Sequence, residues 1–262
     1  MVDNRKLFDG RTENYSQYRP GYPAQIISLL ESNAGLNSSS VVADIGSGTG
    51  ILSRLFLENG NTVYCVEPNS HMRMKSQEYL ASFKDALIVD GSSERTTLPD
   101  KSVNLIVAGQ AFHWFDQELS KKEFLRILKP GSMVALIWND RKSGFKGMNE
   151  DYERICMKYS PKYHGSGSSA LDGRAIIKFF GGRHNKFVLD NSQKLDLAGL
   201  KGRYLSASYA IGPNDESYTE LMNSLENTFE RNEEGGFVQI RYETVIFLGK
   251  LSEDESDLVC PP

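Results

Sequence analysis

The sequence predicts an α/β protein built on a doubly wound, mostly parallel sheet with helices on both faces. Three observations predict it. Val41-Val42-Ala43 leads into Asp44-Ile45-Gly46-Ser47-Gly48-Thr49-Gly50, after which Ile51, Leu52, Leu55 and Phe56 recur at helical spacing, so this stretch reads as strand, tight turn and helix. Further β-rich runs at 62–66, 86–90, 103–108 and 133–138 alternate with helical stretches near 22–33, 50–59, 70–82 and 117–128, as parallel strands joined by crossover helices require. Finally, 237–248 alternates apolar and polar residues like an antiparallel strand or hairpin half.

The glycine turn comes first because it selects a ligand. Glycine is needed where the backbone bends sharply and passes close to a bound group. The pyrophosphate fingerprint G-x-G-x-x-G has its third glycine where the helix packs on the strand, but here Ile51 holds that place and the third glycine falls one residue early. Asp44 argues the same way, since a carboxylate at the mouth of the turn repels a pyrophosphate and suits a ligand with an ammonium group and no phosphate. No Lys-Ser or Lys-Thr follows the glycines, so a P-loop has no support. S-adenosylmethionine (SAM) is a ligand of the required kind.

The second β-rich run, Thr62–Val66, ends in Glu67, about twenty residues beyond the first glycines, where a strand-end carboxylate can accept both ribose hydroxyls. Pro68, Asn69 and Met72 follow it. With D-x-G-x-G-x-G followed by E-P-x-x-x-M, the chain resembles the class I SAM-dependent methyltransferases. The resemblance implies a Rossmann-like sheet of about seven strands with an antiparallel last strand, and SAM as cofactor. It assigns cofactor contacts to Asp44, Gly46, Ser47, Gly48, Thr49, Gly50, Glu67, Pro68 and Met72.

The third run, 86–90, continues into Gly91-Ser92-Ser93-Glu94 and Leu98-Pro99. In methyltransferases of this type the corresponding stretch passes beside the adenine, usually as Ala-Glu followed by Leu-Pro. Ser93 replaces the alanine, so Ser93 and Glu94 are cofactor candidates, and the serine hydroxyl can equally bond its own loop.

The fourth run, 103–108, ends in Gly109-Gln110-Ala111-Phe112-His113-Trp114-Phe115-Asp116. This resembles the Q-A-x-H-W-F signature of the trans-aconitate methyltransferase-like subgroup. Ligands of open α/β sheets bind beyond the carboxyl ends of the strands where strand order reverses. Gln110 and Ala111 are therefore expected at the cofactor, with His113 and Trp114 lining the substrate. His113 has two readings: a general base poised near neutrality, or a loop-holding residue beside the apolar wall of Trp114 and Phe115. The second is preferred, because the sulfonium already drives transfer and many acceptors need no base.

After the helix near 117–128, Lys129-Pro130-Gly131 reads as a helix stop before the fifth strand. Residues 139–235 are polar and irregular, with Gly165-Ser166-Gly167-Ser168-Ser169 as a loop and helices near 147–159 and 215–231. The resemblance makes this stretch a substrate-covering insertion, with strands six and seven closing the sheet.

The resemblance also reaches the N-terminus. Phe8-Asp9-Gly10-Arg11, Tyr15 and Tyr18-Arg19-Pro20-Gly21-Tyr22-Pro23 match a Y-x-x-Y-R-P-x-Y-P lead-in that lies over the cofactor's amino-acid end. Tyr15 and Tyr18 are then lid aromatics. Arg19 can fork onto the cofactor carboxylate and offset Asp44, or be a solvated residue at a helix end.

Composition bounds the rest. At 262 residues with 39% hydrophobic content, one large core is expected, read as a single domain. Its parts are a lid segment at 1–40, a cofactor core at 41–138, the insertion at 139–235, a closing strand at 236–250 and a flexible tail at 251–262 with an acidic run. A formal charge of −4 without a long basic block argues against DNA or RNA. Cys65, Cys156 and Cys260 lack metal-ligand spacing, so no metal is expected, and Cys65 reads as a buried hydrophobe. No apolar leader or membrane-length stretch occurs, so a cytoplasmic location is the default expectation.

The expected activity is methyl transfer from SAM to a small molecule, preferably to a carboxylate oxygen. A SAM-binding regulatory protein without catalysis is the alternative from another class. An RNA or protein methyltransferase is disfavoured by charge and by Gln110-Ala111-Phe112-His113 standing where Asn/Asp-Pro-Pro-Tyr/Phe is needed. A nicotinamide oxidoreductase is disfavoured by Asp44 and Ile51.

Overall fold

The computed structural model describes residues 18–142, 144, 146–163, 165 and 173–252. The lead-in through Tyr15, most of the Gly/Ser loop, Cys260 and the acidic run from Glu253 onward lie outside the described residues. In chain order the elements begin with α1 (Gln25–Ala34), β1 (Val41–Ile45), α2 (Ile51–Glu58), β2 (Thr62–Val66), α3 (Ser70–Tyr79) and β3 (Ala86–Val89). Then come β4 (Val103–Gly109), a 3₁₀ turn at Phe112–Trp114, α4 (Gln117–Ile127) and β5 (Leu128–Arg141). The remainder is α5 (Met148–Tyr159), α6 (Gly173–Phe180), β6 (His184–Leu195), α7 (Leu197–Leu205), α8 (Tyr218–Asn232) and β7 (Val238–Gly249).

These strands form one seven-stranded sheet in the order β3-β2-β1-β4-β5-β7-β6. Strands β1 to β5 pair in parallel, and β7 runs antiparallel to both neighbours, so six strands share one direction and β7 alone opposes them. Strand order reverses between β1 and β4, which places the switch point beside the glycine turn. The central strands are apolar because both sheet faces are covered. Phe112, Phe124, Trp138 and Phe179 are among the core residues of one cluster, and Ile26, Leu30, Phe56 and Leu105 belong to another. Cys65 is fully buried, as expected.

Two expectations need correction. Lys129-Pro130-Gly131 does not end the helix: α4 stops at Ile127, and β5 already begins at Leu128 and continues to Arg141. The register jumps from Val103↔Leu128 to Leu105↔Met133, so the intervening residues bulge, with Gly131 at φ +83°. Second, the stretch read as irregular holds α6, α7 and the twelve-residue β6. β6 escaped because an edge strand needs no apolar face: only Leu195 is buried, and the strand is held by backbone pairing along β7.

That pairing positions the insertion. β7 meets β5 through residues 242–249 but β6 through 238–249, so the start of β7 and the end of β6 project past β5. On this ledge a third cluster forms from α5, α7 and α8, centred on Tyr152, Leu200, Tyr204, Leu225 and Tyr242. Among the described residues, no helix is long and apolar enough to cross a membrane.

Candidate functional site

The glycine turn is built by close approach. Backbone N–H groups of Gly46 and Ser47 both donate to the Val66 carbonyl, at 2.8 and 3.1 Å, which ties the end of β1 to β2. Gly46 has φ +70°, and a Cβ there would lie 2.7 Å from Cβ of Ala111. Gly50 begins α2 at φ +87°, and its Cβ would lie 2.7 Å from Leu80 Cδ1. Both positions therefore exclude a side chain on two counts, conformation and space.

Glu67 closes the turn from the other side. Its Oε2 accepts the Gly48 N–H at 2.9 Å and its Oε1 accepts the Asn69 N–H at 2.8 Å. Burial raises its pKa while these two bonds oppose the rise. The carboxylate thus shapes the unliganded turn, and each oxygen keeps a further lone pair for a hydroxyl. Asn69 caps α3 by accepting the Met72 N–H at 3.0 Å, and Met72 is buried behind it.

Asp44 lines a narrow cleft that is partly open to solvent. It is 1% exposed, and burial pushes its pKa up to about 7, with the Ser53 hydrogen bond opposing and the nearby Glu67 charge adding. Ser53 Oγ donates to Oδ2 at 2.6 Å, while the buried Oδ1 has no hydrogen-bond partner. A buried carboxylate oxygen left in that condition is costly unless a donor or cation meets it. The residues therefore fit a cofactor with an ammonium group at this end.

The same cleft is lined by Arg19, Gly46, Ser47 and Gln110 from the predicted set, by Pro20, Tyr22 and Gly109 from the motifs that flank them, and by Asn139 and Arg203, which the sequence did not single out. Arg19 donates from Nη2 to the Ser206 carbonyl at 3.1 Å, so one edge of its fork is held by the segment after α7. Gln110 adopts φ +57°, fastened by its N–H to the Ile137 carbonyl at 2.9 Å and by Nε2 to the Asn139 carbonyl at 3.1 Å. Tyr18 turns its ring onto Gly202, where a Cβ would be 2.2 Å from the ring.

Other predicted residues, Ser93, Glu94, His113 and Trp114 among them, do not line this cleft. Ser93 Oγ donates to Glu94 Oε1 at 2.8 Å, and that oxygen also accepts the Asp116 N–H at 3.0 Å, which links the loop after β3 to the start of α4. Burial would raise the Glu94 pKa, but hydrogen bonds from Ser92, Ser93 and Asp116 hold it below its ordinary value. Phe112 is the buried member of its turn, 4.7 Å from Phe179 and edge-on to Trp138. Trp114 is 38% exposed, and the His113 ring lies 4.6 Å from it. His113 is exposed by its accessible area. The protein crowded around its ring, and secondly the Arg19 charge, nevertheless lower its pKa to about 4, leaving it neutral at pH 7.

Residues 141 and 203 bring buried cations, Arg203 in the cleft wall and Arg141 outside its lining. Arg203, 4% exposed, donates from Nε to the Tyr242 hydroxyl at 3.2 Å and from Nη1 to Ser206 Oγ at 3.5 Å, with no carboxylate among its partners in the described residues. Arg141 pairs with Glu153 at 2.8 Å, sits 5.0 Å from the Tyr152 ring centre and donates to Tyr163. The Tyr152 hydroxyl is buried without a hydrogen-bond partner. The missed signal was spacing: residues 141, 152, 163, 203 and 242 meet only through the ledge.

A glycine turn at the switch point, an acid on β1 and a second acid after β2 define a Rossmann-like methyltransferase site. Residues 43–136 match the methyltransferase domain family. An uncharacterized methyltransferase of Geobacillus thermodenitrificans is 36% identical over 177 residues, covering 56% of this chain and 79% of the relative. An uncharacterized methyltransferase of Schizosaccharomyces pombe is 34% identical over 137 residues, covering 52% of this chain and 53% of the relative, so the match spans about half the length of that protein. A solved structure from Anaeromyxobacter dehalogenans, provisionally described as a type II methyltransferase, shares the fold at 18% identity with a TM-score of 0.63, over 89% of this chain and 98% of its own. The chain belongs to the methyltransferase domain family.

Proposed function

We propose that the protein transfers a methyl group from SAM to a small-molecule acceptor, with a carboxylate oxygen as the acceptor atom. The observation that carries the cofactor reading is Asp44, a buried carboxylate with one unpartnered oxygen, in a cleft shared with Arg19. When bound, SAM supplies a methyl group on a positively charged sulfur. Asp44 receives the ammonium group, Arg19 the carboxylate, and Glu67 the ribose hydroxyls, while Gln110 shapes the wall toward the acceptor. Arg203 supports the finer reading, because it brings to this cleft a desolvated cation that has no carboxylate partner among the described residues. An anionic acceptor offsets that charge. Such an acceptor arrives deprotonated and needs no base, consistent with a neutral His113 whose pKa is too low for efficient proton abstraction at pH 7.

Calorimetric titration should show binding of SAM and S-adenosylhomocysteine, with no comparable heat from NAD or NADP. Equal dinucleotide binding would sink the cofactor reading. Incubation with methyl-labelled SAM and a panel of mono-, di- and tricarboxylates should release base-labile methyl esters, and Arg203→Met should raise the acceptor KM about tenfold or more with S-adenosylhomocysteine affinity retained. Transfer only to amine or carbon acceptors would remove the carboxylate.

A further inference from the structure

The segment 18–22 crosses the mouth of the cleft as a strap, and its hold on the body of the protein is unusually specific. Arg19, Pro20 and Tyr22 line the cleft opposite Asp44 and Gln110. Tyr22 leans on Gly109 closely enough that a Cβ there would lie 2.5 Å from the hydroxyl. The strap's backbone carbonyls are then gripped by side-chain amides of β5 and β6. Asn139 Nδ2 donates to the Gly21 carbonyl at 3.0 Å, Asn191 Nδ2 donates to the same oxygen at 2.9 Å, and Gln193 Nε2 donates to the Tyr18 carbonyl at 2.9 Å.

Asn139 is the centre of this grip. It is 5% exposed near the end of β5, and its Oδ1 accepts the Thr244 hydroxyl at 2.6 Å and Asn191 Nδ2 at 3.1 Å. Its own backbone carbonyl accepts Gln110 Nε2. A carbonyl can only accept, so Gly21 fixes which end of the Asn139 amide faces it, and neither aspartate nor an aliphatic residue could make the same set of bonds.

We propose that Asn139 is a positioning residue that, seconded by Asn191, holds the strap closed over a bound cofactor. Its carbonyl sets Gln110 on the opposite wall, so the lid and the loop facing the acceptor are registered against one residue of β5. A ligand seated on Asp44 leaves only when the strap lifts, and lifting breaks the two bonds to Gly21. The grip therefore governs how fast cofactor product is released.

This inference rests on the SAM reading for its ligand, and the test separates the two. S-adenosylhomocysteine dissociation is measured by surface plasmon resonance for the wild type, Asn139→Ala, Asn191→Ala and Gln193→Ala. Backbone amide exchange of the peptide 18–24 is followed in the ligand-free proteins. Loss of the bonds at Gly21 should speed dissociation about tenfold in Asn139→Ala and severalfold in Asn191→Ala, with matching acceleration of exchange. The Asn191→Ala melt should stay close to that of the wild type, since Asn191 is only half-buried. Lower melting with unaltered dissociation and exchange would make the cluster merely structural and overturn the proposal. Should Asn139→Ala fail to fold, the Asn191 and Gln193 variants decide by the same readouts. Should the wild type bind no S-adenosylhomocysteine, the SAM reading fails, and unchanged exchange in 18–24 still refutes the grip.

Discussion

The two ends of the cleft solve recognition in opposite ways. At the end proposed for the cofactor the contacts come mostly from one stretch, 44–67, joined by Arg19 from the strap, and within that stretch they are backbone amides and carboxylates: Gly48 N–H on Glu67, Val66 carbonyl on the turn, Asp44 beneath. At the end proposed for the acceptor the cleft is lined by Arg203 of α7, which has no carboxylate partner among the described residues, and the neighbouring cluster of β5, α5 and β7 adds Arg141 among tyrosines. A negative floor faces a positive wall. The first end suits a cation of fixed shape, and the second suits an anion whose shape the insertion is free to select.

Asp44→Asn breaks the contrast most sharply. Removing the carboxylate should weaken S-adenosylhomocysteine binding by about a hundredfold, the range expected for losing a charge-assisted contact. The substitution also tests the charge state of the floor. Asp44 titrates at about 7 in the fold against an ordinary 3.8, so between those values the unfolded chain binds fewer protons than the folded one. Stability of the ligand-free protein should then fall as pH rises from about 4 to 7, by on the order of 4 kcal/mol. Thermal melts across that range should show the decline in the wild type and a flatter profile in Asp44→Asn. Identical slopes would mean that the floor is not a strained carboxylate.

Glu67→Ala sharpens the comparison by separating ligand contact from architecture. A residue that met only ribose would leave the apo melt untouched when truncated. Here it receives two backbone N–H groups, so the variant should lose about 1–3 kcal/mol of stability as well as cofactor affinity. Glu67→Gln, which keeps acceptor capacity on one oxygen, should recover part of the stability. An unchanged melt in Glu67→Ala would show that water replaces the carboxylate at no cost.

The same contrast explains what was legible in the sequence. The glycine turn, Asp44 and Glu67 were readable because a tight turn and a strand end fix their neighbours within about twenty residues, and five of the predicted residues do line the cleft. Arg203 and Asn139 were not readable, since nothing local marks an arginine in a helix or an asparagine at a strand end as a cavity wall. Their proximity depends on β6 pairing along β7, and β6 carries a polar face to solvent that hides its periodicity. The bulge at Gly131 was lost for a related reason: Lys-Pro-Gly is a helix stop by local chemistry, and only the register with β4 turns it into strand.

The smallest expected effect concerns His113, whose ring feels the Arg19 charge. If the acceptor wall binds an acid already deprotonated, no base is needed, and the ring is already neutral at pH 7 because crowding and Arg19 lower its pKa to about 4. A group whose folded pKa is depressed below 6.5 in this way cannot impose an ionisation near neutrality on the rate. His113→Ala should therefore lower kcat by less than about a hundredfold and leave the pH–rate profile flat through 6.5, with His113→Asn recovering part of the loss. The loss should not deepen for acceptors of higher pKa. A unit-slope fall in rate below pH 6.5 that vanishes in His113→Ala would make the histidine a base, and with it the positive wall would have to hold something other than a carboxylate.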